Sequence, residues 1–388
     1  MRPETVAQLD LTTELLGLSL LERLMLAARR TGFRDFIVHA GASDVVRFKS
    51  LLRDRSGVRV TSEPVSTSAE DRCTVLAPGY LLGEPAWLAQ CANEVVLPGE
   101  RRDAGDGIYI YGAGVSADDP AVANPVGDQI SLIDPPFRLS GTDNFRRAER
   151  HLMRGLRKKT DGFTSRYFAR PISLQISRRL APRGVSPNQM TFVSMLVGLA
   201  AAPFFLWSNP ELQVIGGLLF VLHSVLDGCD GELARLTYRE SRFGGLFDFF
   251  SDNLVHVAIF ACMALGWSVQ ISADWPLYFG AGAVLGAAGS TAVVYWLTLR
   301  RKSDAGPLYT SVSAGPSQRL TKLLDDLSRR DFIYLVLGLS VFGKAYWFLA
   351  LAGIGAPVFL LLVLVVLFAG RGTGLPPDYP VRATRSPK

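Results

Sequence analysis

Four aspartates in one short stretch carry the chemistry that this sequence could perform. Asp227 and Asp230 are three positions apart, and Asp248 and Asp252 are four apart, so each pair lies on one face of its helix. Two such helices packed side by side would bring four carboxylates together at a membrane boundary. Carboxylates at the end of an apolar helix need partners, and Mg²⁺ and Mn²⁺ prefer oxygen ligands. The spacing therefore predicts a site for a divalent metal.

Small residues and one arginine accompany these acids. Gly228, Gly231 and Ala234 share one side of the first helix, where they leave room for a nucleotide against the backbone. Gly244 does the same at the start of the second helix. Arg235 lies on the first helix as well and can neutralise a phosphate or brace a carboxylate.

Each of these residues also has a plainer interpretation. The acids could be helix ends in contact with water, and the glycines could be contacts between helices. Together, however, they follow the pattern D-x2-D-G-x2-A-R-x8-G-x3-D-x3-D, which specifies eight positions in 26 residues. Because chance placement of that pattern between two apolar segments is improbable, we interpret the stretch as an active site.

Membrane-spanning helices are the elements that must position these acids. The chain has 388 residues, of which 1–186 are rich in charge and 187–371 contain long apolar runs. A helix of about 20 apolar residues crosses a bilayer. The sequence leaves the boundary between the last two apolar segments open. Six spans are predicted, at 189–207, 212–230, 246–267, 276–298, 331–347 and 350–370.

The distribution of basic residues predicts the orientation of these spans. Loops 208–211 and 268–274 contain no Lys or Arg, whereas loop 299–330 contains seven. By the positive-inside rule, both termini face the cytoplasm, which requires an even number of spans. The net charge of +6 favours anionic lipid headgroups or phosphorylated substrates. We expect no nucleic-acid partner, because no groove-reading motif is present.

The first part of the chain alternates helical and strand-like patterns. Ser19-Leu-Leu-Glu22 fits a capping box at the start of a helix. Alternation of this kind predicts an α/β domain with a mainly parallel sheet. The N-terminus lacks the features of a signal peptide, and the four cysteines imply no disulfide framework. The predicted strands are Phe36–Val38, Val58–Val60, Cys73–Ala77, Glu94–Leu97 and Ile108–Tyr111.

Two helical segments connect this domain to the apolar part. A charged helix is predicted from Asp143 to Lys159. In residues 163–186, five arginines alternate with apolar residues, which is typical of an amphipathic helix on a membrane surface. The alternative is an ordinary basic linker. The predicted domains are therefore 1–142, a linker and juxtamembrane helix at 143–186, a membrane domain at 187–371 and a tail at 372–388.

The aspartate pattern resembles the signature of the CDP-alcohol phosphotransferase family at every specified position. The resemblance implies a six-helix bundle, commonly dimeric, that transfers a phospho-alcohol group from a CDP-linked donor with release of CMP. Val185-Ser-Pro-Asn-Gln-Met-Thr191 resembles the start of the family's first span. By this resemblance, two Mg²⁺ or Mn²⁺ ions would be held by Asp227, Asp230, Asp248 and Asp252, and Asp252 would act as general base. The CDP part would be bound by Gly228, Gly231, Ala234, Arg235 and Gly244.

Four stretches resemble one branch of that family more narrowly, the bifunctional inositol-1-phosphate cytidylyltransferase and di-inositol-phosphate phosphate synthase. They are Ala148-Glu149, Lys159-Thr-Asp-Gly-Phe-Thr-Ser-Arg-Tyr167, Arg170-Pro-Ile-Ser173 and Asp227-Gly-Cys-Asp-Gly-Glu232. In that branch a Rossmann-like nucleotidyltransferase domain precedes the membrane domain. Here its glycine-rich triphosphate loop is missing, and Gly79 and Tyr80 stand where a metal-binding Asp is expected. We therefore interpret the domain as a degenerate scaffold; retained cytidylyltransferase activity is the alternative.

The substrates remain open at this stage. The narrower resemblance favours CDP-inositol or another soluble CDP-polyol as donor, whereas a CDP-diacylglycerol donor would make the protein a phospholipid synthase. A non-catalytic membrane scaffold is the hypothesis from another class. The acceptor is an alcohol or a lipid hydroxyl, and the candidates for binding its phosphate are Arg242, Arg300, Arg301 and Arg330.

The sequence does not predict a functional role for the histidines. His256 follows Asp252 by one turn and could tune that carboxylate, although a lone histidine in an apolar span is more often a packing residue. His223 has no partner pattern.

Overall fold

The computed structural model of the protein divides the chain into two compact units. The first is Met1–Gly155 with the short segments Ala181–Arg183 and Leu236–Tyr238, and the second is Leu156–Leu180, Gly184–Arg235 and Arg239–Lys388. The residues that the structure describes are 12–39, 45–51, 57–61, 74–76, 81–94, 96, 100–106, 108–111, 130–139, 144–157, 164–300 and 332–371.

Short strands and helices alternate in the first unit, as the sequence predicts. Its strands are β1 (Glu14–Leu15), β2 (Leu18–Ser19), β3 (Phe36–His39), β4 (Val58–Thr61), β5 (Thr74–Leu76), β6 (Arg101–Asp103) and β7 (Tyr109–Tyr111). Its helices are α1 (Leu20–Arg30), α2 (Val45–Leu51), α3 (Pro85–Asn93) and α4 (Phe145–Gly155). The predicted strand at Glu94–Leu97 is wrong at both of its described residues, because Glu94 is the C-cap of α3 and Val96 belongs to no strand.

Parallel pairing is limited in the described part of this unit. Strands β3 and β4 pair in parallel, but β5 and β6 both pair antiparallel with β7, and β1 and β2 form an antiparallel hairpin. The described strands therefore form three small sheets rather than one mainly parallel sheet. Among the described strands that pair with each other, β3 and β4 are connected by a single helix, α2, which is the connection that parallel neighbours need.

Helix α1 begins as its sequence predicts. The Ser19 hydroxyl accepts a hydrogen bond from the Glu22 backbone N–H at 3.2 Å, and the Glu22 carboxylate accepts one from the Ser19 N–H at 3.2 Å. This reciprocal pair is the capping box, which satisfies backbone donors at the helix start. The apolar face of α1 is buried against Trp87 and Leu88 of α3 and against Ile110 of β7.

The described secondary-structure elements of the second unit are all helices, joined by short turns. A π-helical turn at Ser165–Ala169 leads into α5 (Arg170–Leu180), so the predicted juxtamembrane segment is helical. The apolar part contains α6 (Pro187–Ala201, extended by a 3₁₀ turn to Leu206), α7 (Pro210–Leu236), α8 (Arg242–Ile271), α9 (Trp275–Arg300), α10 (Phe332–Val341) and α11 (Tyr346–Arg371).

Five of these helices are long and apolar enough to cross a membrane, which fits an integral-membrane protein. They correspond to the predicted spans at 189–207, 212–230, 246–267, 276–298 and 350–370. The predicted span at 331–347 differs, because the described helix there runs only from Phe332 to Val341. A turn follows in which Gly343 has a φ of 65°, and α11 starts at Tyr346. Ten residues of helix rise only about 15 Å, half of a bilayer core.

Small residues allow the closest approach between α9 and α11. A methyl group on Gly282 would lie 2.6 Å from the carbonyl oxygen of Gly353, and one on Gly286 would lie 2.5 Å from the carbonyl carbon of Ala356. Packing through small residues is the usual basis of helix association in membranes, where burial from water contributes little. Aromatic and aliphatic side chains fill the rest of this core, among them Phe220, Ile259 and Leu349.

Candidate metal centre

The acidic pattern lies on two consecutive helices, α7 and α8. The last turns of α7 carry Asp227 and Asp230, and the first turns of α8 carry Asp248 and Asp252. Ser241 starts α8 as its N-cap, and its hydroxyl accepts a hydrogen bond from the Gly244 N–H at 2.9 Å. Because the chain reverses in the few residues between α7 and α8, both acidic ends reach the same end of the bundle.

Three of the aspartates come together. One carboxylate oxygen each from Asp227, Asp230 and Asp248 lies within 4.8 Å of the others. Asp227 and Asp230 are only 5% and 6% exposed. Like charges this close in a poorly hydrated place repel each other strongly. A hard divalent cation offsets that repulsion, and a set of three carboxylate oxygens fits Mg²⁺ or Mn²⁺.

Helix α6 contributes a hydroxyl to this group. The buried Thr191 donates a hydrogen bond from Oγ1 to Oδ2 of Asp230 at 2.5 Å. Its position follows from the start of α6, where Ser186 and Gln189 form a capping box and Pro187 is the first helical residue. The sequence singled out the run that ends at Thr191 but did not assign this hydroxyl a role.

Asp252 lies outside the group of three carboxylates. Its Oδ1 is 3.6 Å from Nε2 of His223, a buried residue of α7. The other ring nitrogen of His223 is 2.8 Å from the Ser194 carbonyl oxygen, so Nδ1 carries a proton and donates it to that oxygen. Sequence reasoning missed His223. The available signal was its spacing, one helical turn before Asp227.

His256 has a different environment. Its ring lies 5.7 Å from that of Phe220, 6.3 Å from that of Phe260 and 5.5 Å from that of Phe332, measured between centroids. These contacts support the packing interpretation of His256.

The residues predicted to bind CDP surround the ends of α7 and α8. The Arg235 guanidinium lies over Gly231, where a methyl group would be 3.2 Å from Nη1. A methyl group on Gly244 would be 3.0 Å from Oδ1 of Asn188. Gly228 instead faces α5, since a methyl group there would be 3.4 Å from Nη1 of Arg170. Ala234 is partly exposed, one turn after Gly231.

The arginines predicted to bind an acceptor phosphate are only partly described. Arg242 is exposed at the first residue of α8. Arg300 is the last residue of α9, and nothing is described of its side chain. Arg301 and Arg330 lie outside the described residues.

The described helices and the site thus define a class: a domain of helices long and apolar enough to cross a membrane, with three carboxylates from two of them grouped as a candidate metal site. Residues 184–321 match the family CDP-alcohol phosphatidyltransferase. This part of the chain is therefore a CDP-alcohol phosphatidyltransferase domain, and the resemblance inferred from the aspartate pattern is confirmed. Members of the family transfer substituted phosphate groups.

Curated relatives with this domain are similar over part of their length. The chain is 35% identical to the bifunctional IPC transferase and DIPP synthase of Thermococcus kodakarensis over 195 residues. This alignment covers 50% of this chain and 41% of that protein. Over 96 residues it is 36% identical to the archaetidylinositol phosphate synthase of Pyrococcus horikoshii, which covers 25% of this chain and 50% of that protein. The chain thus spans half or less of the length of these relatives.

A solved structure gives a weaker comparison. The phosphatidylinositol phosphate synthase of Mycobacterium tuberculosis, with CDP-DAG bound, aligns at 17% identity and a TM-score of 0.35, over 51% of this chain and 94% of that one.

Proposed function

We propose that this chain is an integral-membrane CDP-alcohol phosphotransferase, which moves a phospho-alcohol from a CDP-linked donor to an acceptor hydroxyl and releases CMP. The observation that carries the proposal is the group of three carboxylate oxygens from Asp227, Asp230 and Asp248 within 4.8 Å of one another. That group belongs to the domain matched at residues 184–321. A non-catalytic scaffold would have no need to bury like charges next to each other.

In this reaction Asp252 is the general base. Its carboxylate takes the proton of the acceptor hydroxyl, whose oxygen attacks the phosphorus that bears the alcohol, and the bond from that phosphorus to the CMP oxygen breaks. His223, 3.6 Å from Asp252, is placed to orient that carboxylate. Arg235 and the backbone at Gly228, Gly231, Ala234 and Gly244 would bind the CDP part.

The chemistry of the donor set fits one or two Mg²⁺ or Mn²⁺ ions. Asp227, Asp230 and Asp248 would hold the metal, with Asp252 as a further ligand beside them. Bound there, the metal supplies positive charge to the diphosphate of the donor and to the departing CMP.

The substrates follow from the narrower resemblance. We favour CDP-inositol or another soluble CDP-polyol as donor, because relatives are named as bifunctional IPC transferases and DIPP synthases. A CDP-diacylglycerol donor is the alternative within the same chemistry. The acceptor is an alcohol or lipid hydroxyl whose phosphate would be bound by Arg242, Arg300, Arg301 and Arg330.

We also propose an architecture for the whole chain. Six spans, with α10 as part of the fifth, place both termini in the cytoplasm by the positive-inside rule. The N-terminal unit is a degenerate, Rossmann-like nucleotidyltransferase scaffold within 1–142, and the remaining boundaries follow the predicted ones at 143–186, 187–371 and 372–388. Two copies form a homodimer in the membrane. No nucleic acid is involved.

A donor panel tests the function. Purified protein in lipid with Mg²⁺ is offered CDP-inositol, CDP-glycerol and CDP-diacylglycerol, each with a phosphorylated polyol or a lipid alcohol, and CMP release is measured. One arm contains CTP and inositol phosphate, from which a retained cytidylyltransferase would release pyrophosphate. We expect CMP from at least one donor and no pyrophosphate.

The matched variant for this panel is Asp252→Asn, which keeps the size of the side chain but removes the base. We expect it to abolish CMP release while the protein stays folded and inserted. Full activity in this variant would refute the assignment of Asp252, and no CMP from any donor with the wild type would refute the transferase itself.

A further inference from the structure

A third buried carboxylate lies on α7, on the side away from Asp227 and Asp230. Glu232 is two residues after Asp230 and five after Asp227. At about 100° per residue, it projects roughly opposite to both. Its side chain is fully buried, at 0% exposure. An ionised carboxylate in such a place is costly unless its oxygens receive hydrogen bonds.

Helix α5 supplies those hydrogen bonds. Arg170 donates from Nη1 to Oε1 of Glu232 at 2.8 Å, and the Ser173 hydroxyl donates to the same oxygen at 2.6 Å. The Ser177 hydroxyl donates to Oε2 at 2.7 Å. The three donors are spaced i, i+3 and i+7 on α5, so they occupy one face of that helix.

The network joins two of the four stretches that carry the narrower resemblance. Arg170-Pro-Ile-Ser173 and Asp227-Gly-Cys-Asp-Gly-Glu232 each resemble the same branch of the family. In the structure, Arg170 and Ser173 of the first stretch are the direct partners of Glu232 in the second. Their residue types are therefore explained by one contact between two helices.

The start of α5 is held against Gly228, the residue next to the metal-site acid Asp227. A methyl group on Gly228 would lie 3.4 Å from Nη1 of Arg170 and 3.6 Å from Cβ of Ser173. Both distances are ordinary van der Waals contacts, so Arg170 packs against α7 at Gly228. The ion pair with Glu232 holds the Arg170 guanidinium in this position. The Arg170 side chain is 12% exposed.

A purely apolar contact would join the two helices as well as this network does. Replacing a buried ion pair by well-packed apolar residues is often neutral or stabilising. What a satisfied polar network adds is one defined geometry of its charged groups. Here the charged group so fixed is Arg170, beside the end of α7 that carries the metal acids.

We propose that Glu232 is a positioning residue for donor binding. It holds Arg170 over Gly228, so that the guanidinium charge faces the diphosphate of a CDP-linked donor. This inference rests on the proposed function, because only a donor with a diphosphate would use the charge there. Arg170 touches the donor, whereas Glu232 acts through Arg170.

The test compares Glu232→Gln, Arg170→Gln and the double variant in the full-length protein. Two quantities are measured with Mg²⁺ present: the dissociation constant of CDP, and KM and kcat for CMP release from the donor. We expect each single variant to weaken CDP binding and raise KM about tenfold, which is the usual effect of losing a charge-assisted hydrogen bond, with kcat changed less than about threefold. The double variant should bind CDP about as tightly as either single variant, because both substitutions remove the same contact.

Ser177→Ala is the matched control. It removes a hydrogen bond from the Glu232 oxygen that does not contact Arg170, so it should lower thermal stability but leave the CDP dissociation constant within about threefold of wild type.

Several outcomes would overturn the inference. Unchanged CDP binding in folded Glu232→Gln would assign this residue to helix packing alone. If Glu232→Gln does not fold, Arg170→Gln decides, since it leaves both serines on Glu232; unchanged CDP binding there overturns the inference as well. Wild-type protein that binds CDP with this dependence but releases no CMP from any donor would refute the transferase and leave the inference standing.

Discussion

The two faces of α7 place buried carboxylates in opposite surroundings. On one face, Asp227 and Asp230 lie with Asp248 of α8, acid against acid within 4.8 Å. On the other face, Glu232 receives one arginine and two serine hydroxyls at 2.6–2.8 Å. Both faces are almost inaccessible to water, since Asp227, Asp230 and Glu232 are 5%, 6% and 0% exposed.

This difference separates a candidate metal site from a buried anion that the protein already satisfies. Glu232 has the hydrogen-bond donors that a buried anion requires, so it needs no metal. The aspartate face instead brings one carboxylate oxygen from each of three acids within 4.8 Å of the others. A site that costs stability in the folded chain is typical of function, and a divalent metal would offset the repulsion between these acids.

The largest expected effect comes from removing the charge of one acid on the aspartate face. Asp248→Asn should lower CMP release at least about a thousandfold, because the metal loses a charged ligand and the diphosphate loses the charge that the metal supplies. Without divalent cations, however, the variant should be as stable as wild type or more so, since one of three mutually repelling charges is gone.

Glu232→Gln is the contrasting control for this prediction. It puts an amide opposite three donors, and breaking a buried pair on one side costs about 3 kcal/mol of stability. Thermal unfolding in detergent with EDTA measures both variants. Equal destabilisation by the two substitutions would contradict the distinction between the faces of α7.

The next effect concerns the metal itself. A ligand at about 100 times its dissociation constant stabilises a folded protein by about 2.7 kcal/mol. We therefore expect Mg²⁺ or Mn²⁺ to raise the unfolding temperature of wild type and of Glu232→Gln by similar amounts, but not that of Asp248→Asn. A shift retained in Asp248→Asn would show that the metal binds elsewhere.

Asp252→Asn sharpens the same measurement. If it keeps the metal-induced shift while CMP release is lost, Asp252 acts as base alone. If it loses the shift, Asp252 is a metal ligand as well.

Much of the site could be predicted from sequence because it depends on local geometry. Spacings of three and four residues fix which acids share a helix face, and the apolar segments fix which helices carry them. What spacing does not fix is how a side chain meets another helix. Asp252 shares its helix face with Asp248 but lies beside His223, and Thr191 reaches Asp230 from α6. These contacts depend on helix packing, which no local pattern encodes.

The same limit applies to the fold. The capping box at Ser19 and the positions of β3, β4 and β5 follow from local propensity, but the antiparallel pairing of β5 with β7 joins residues far apart in the chain. The apolar stretch near 331–370 is nearly continuous, so its pattern does not reveal the turn at Gly343 that follows the end of α10 at Val341. A glycine with positive φ is a clear signal only once the turn is known.

The smallest effect concerns the hydroxyl that supports the aspartate face. Thr191→Val keeps the shape of the side chain but removes the hydrogen bond to Asp230, so Oδ2 of Asp230 is less well held toward the other two acids. We expect CMP release to fall about tenfold at low Mg²⁺, as the loss of a hydrogen bond to a charged group predicts, and to recover in part at high Mg²⁺.

Thr291→Val is the matched control, because that buried hydroxyl donates at 2.6 Å to the neutral amide oxygen of Asn253 instead of to a carboxylate. It should change activity less than about threefold and leave the Mg²⁺ dependence as in wild type. If the two threonine variants showed the same Mg²⁺ dependence, the hydrogen bond from α6 would be a packing contact, and the three carboxylates alone would define the site.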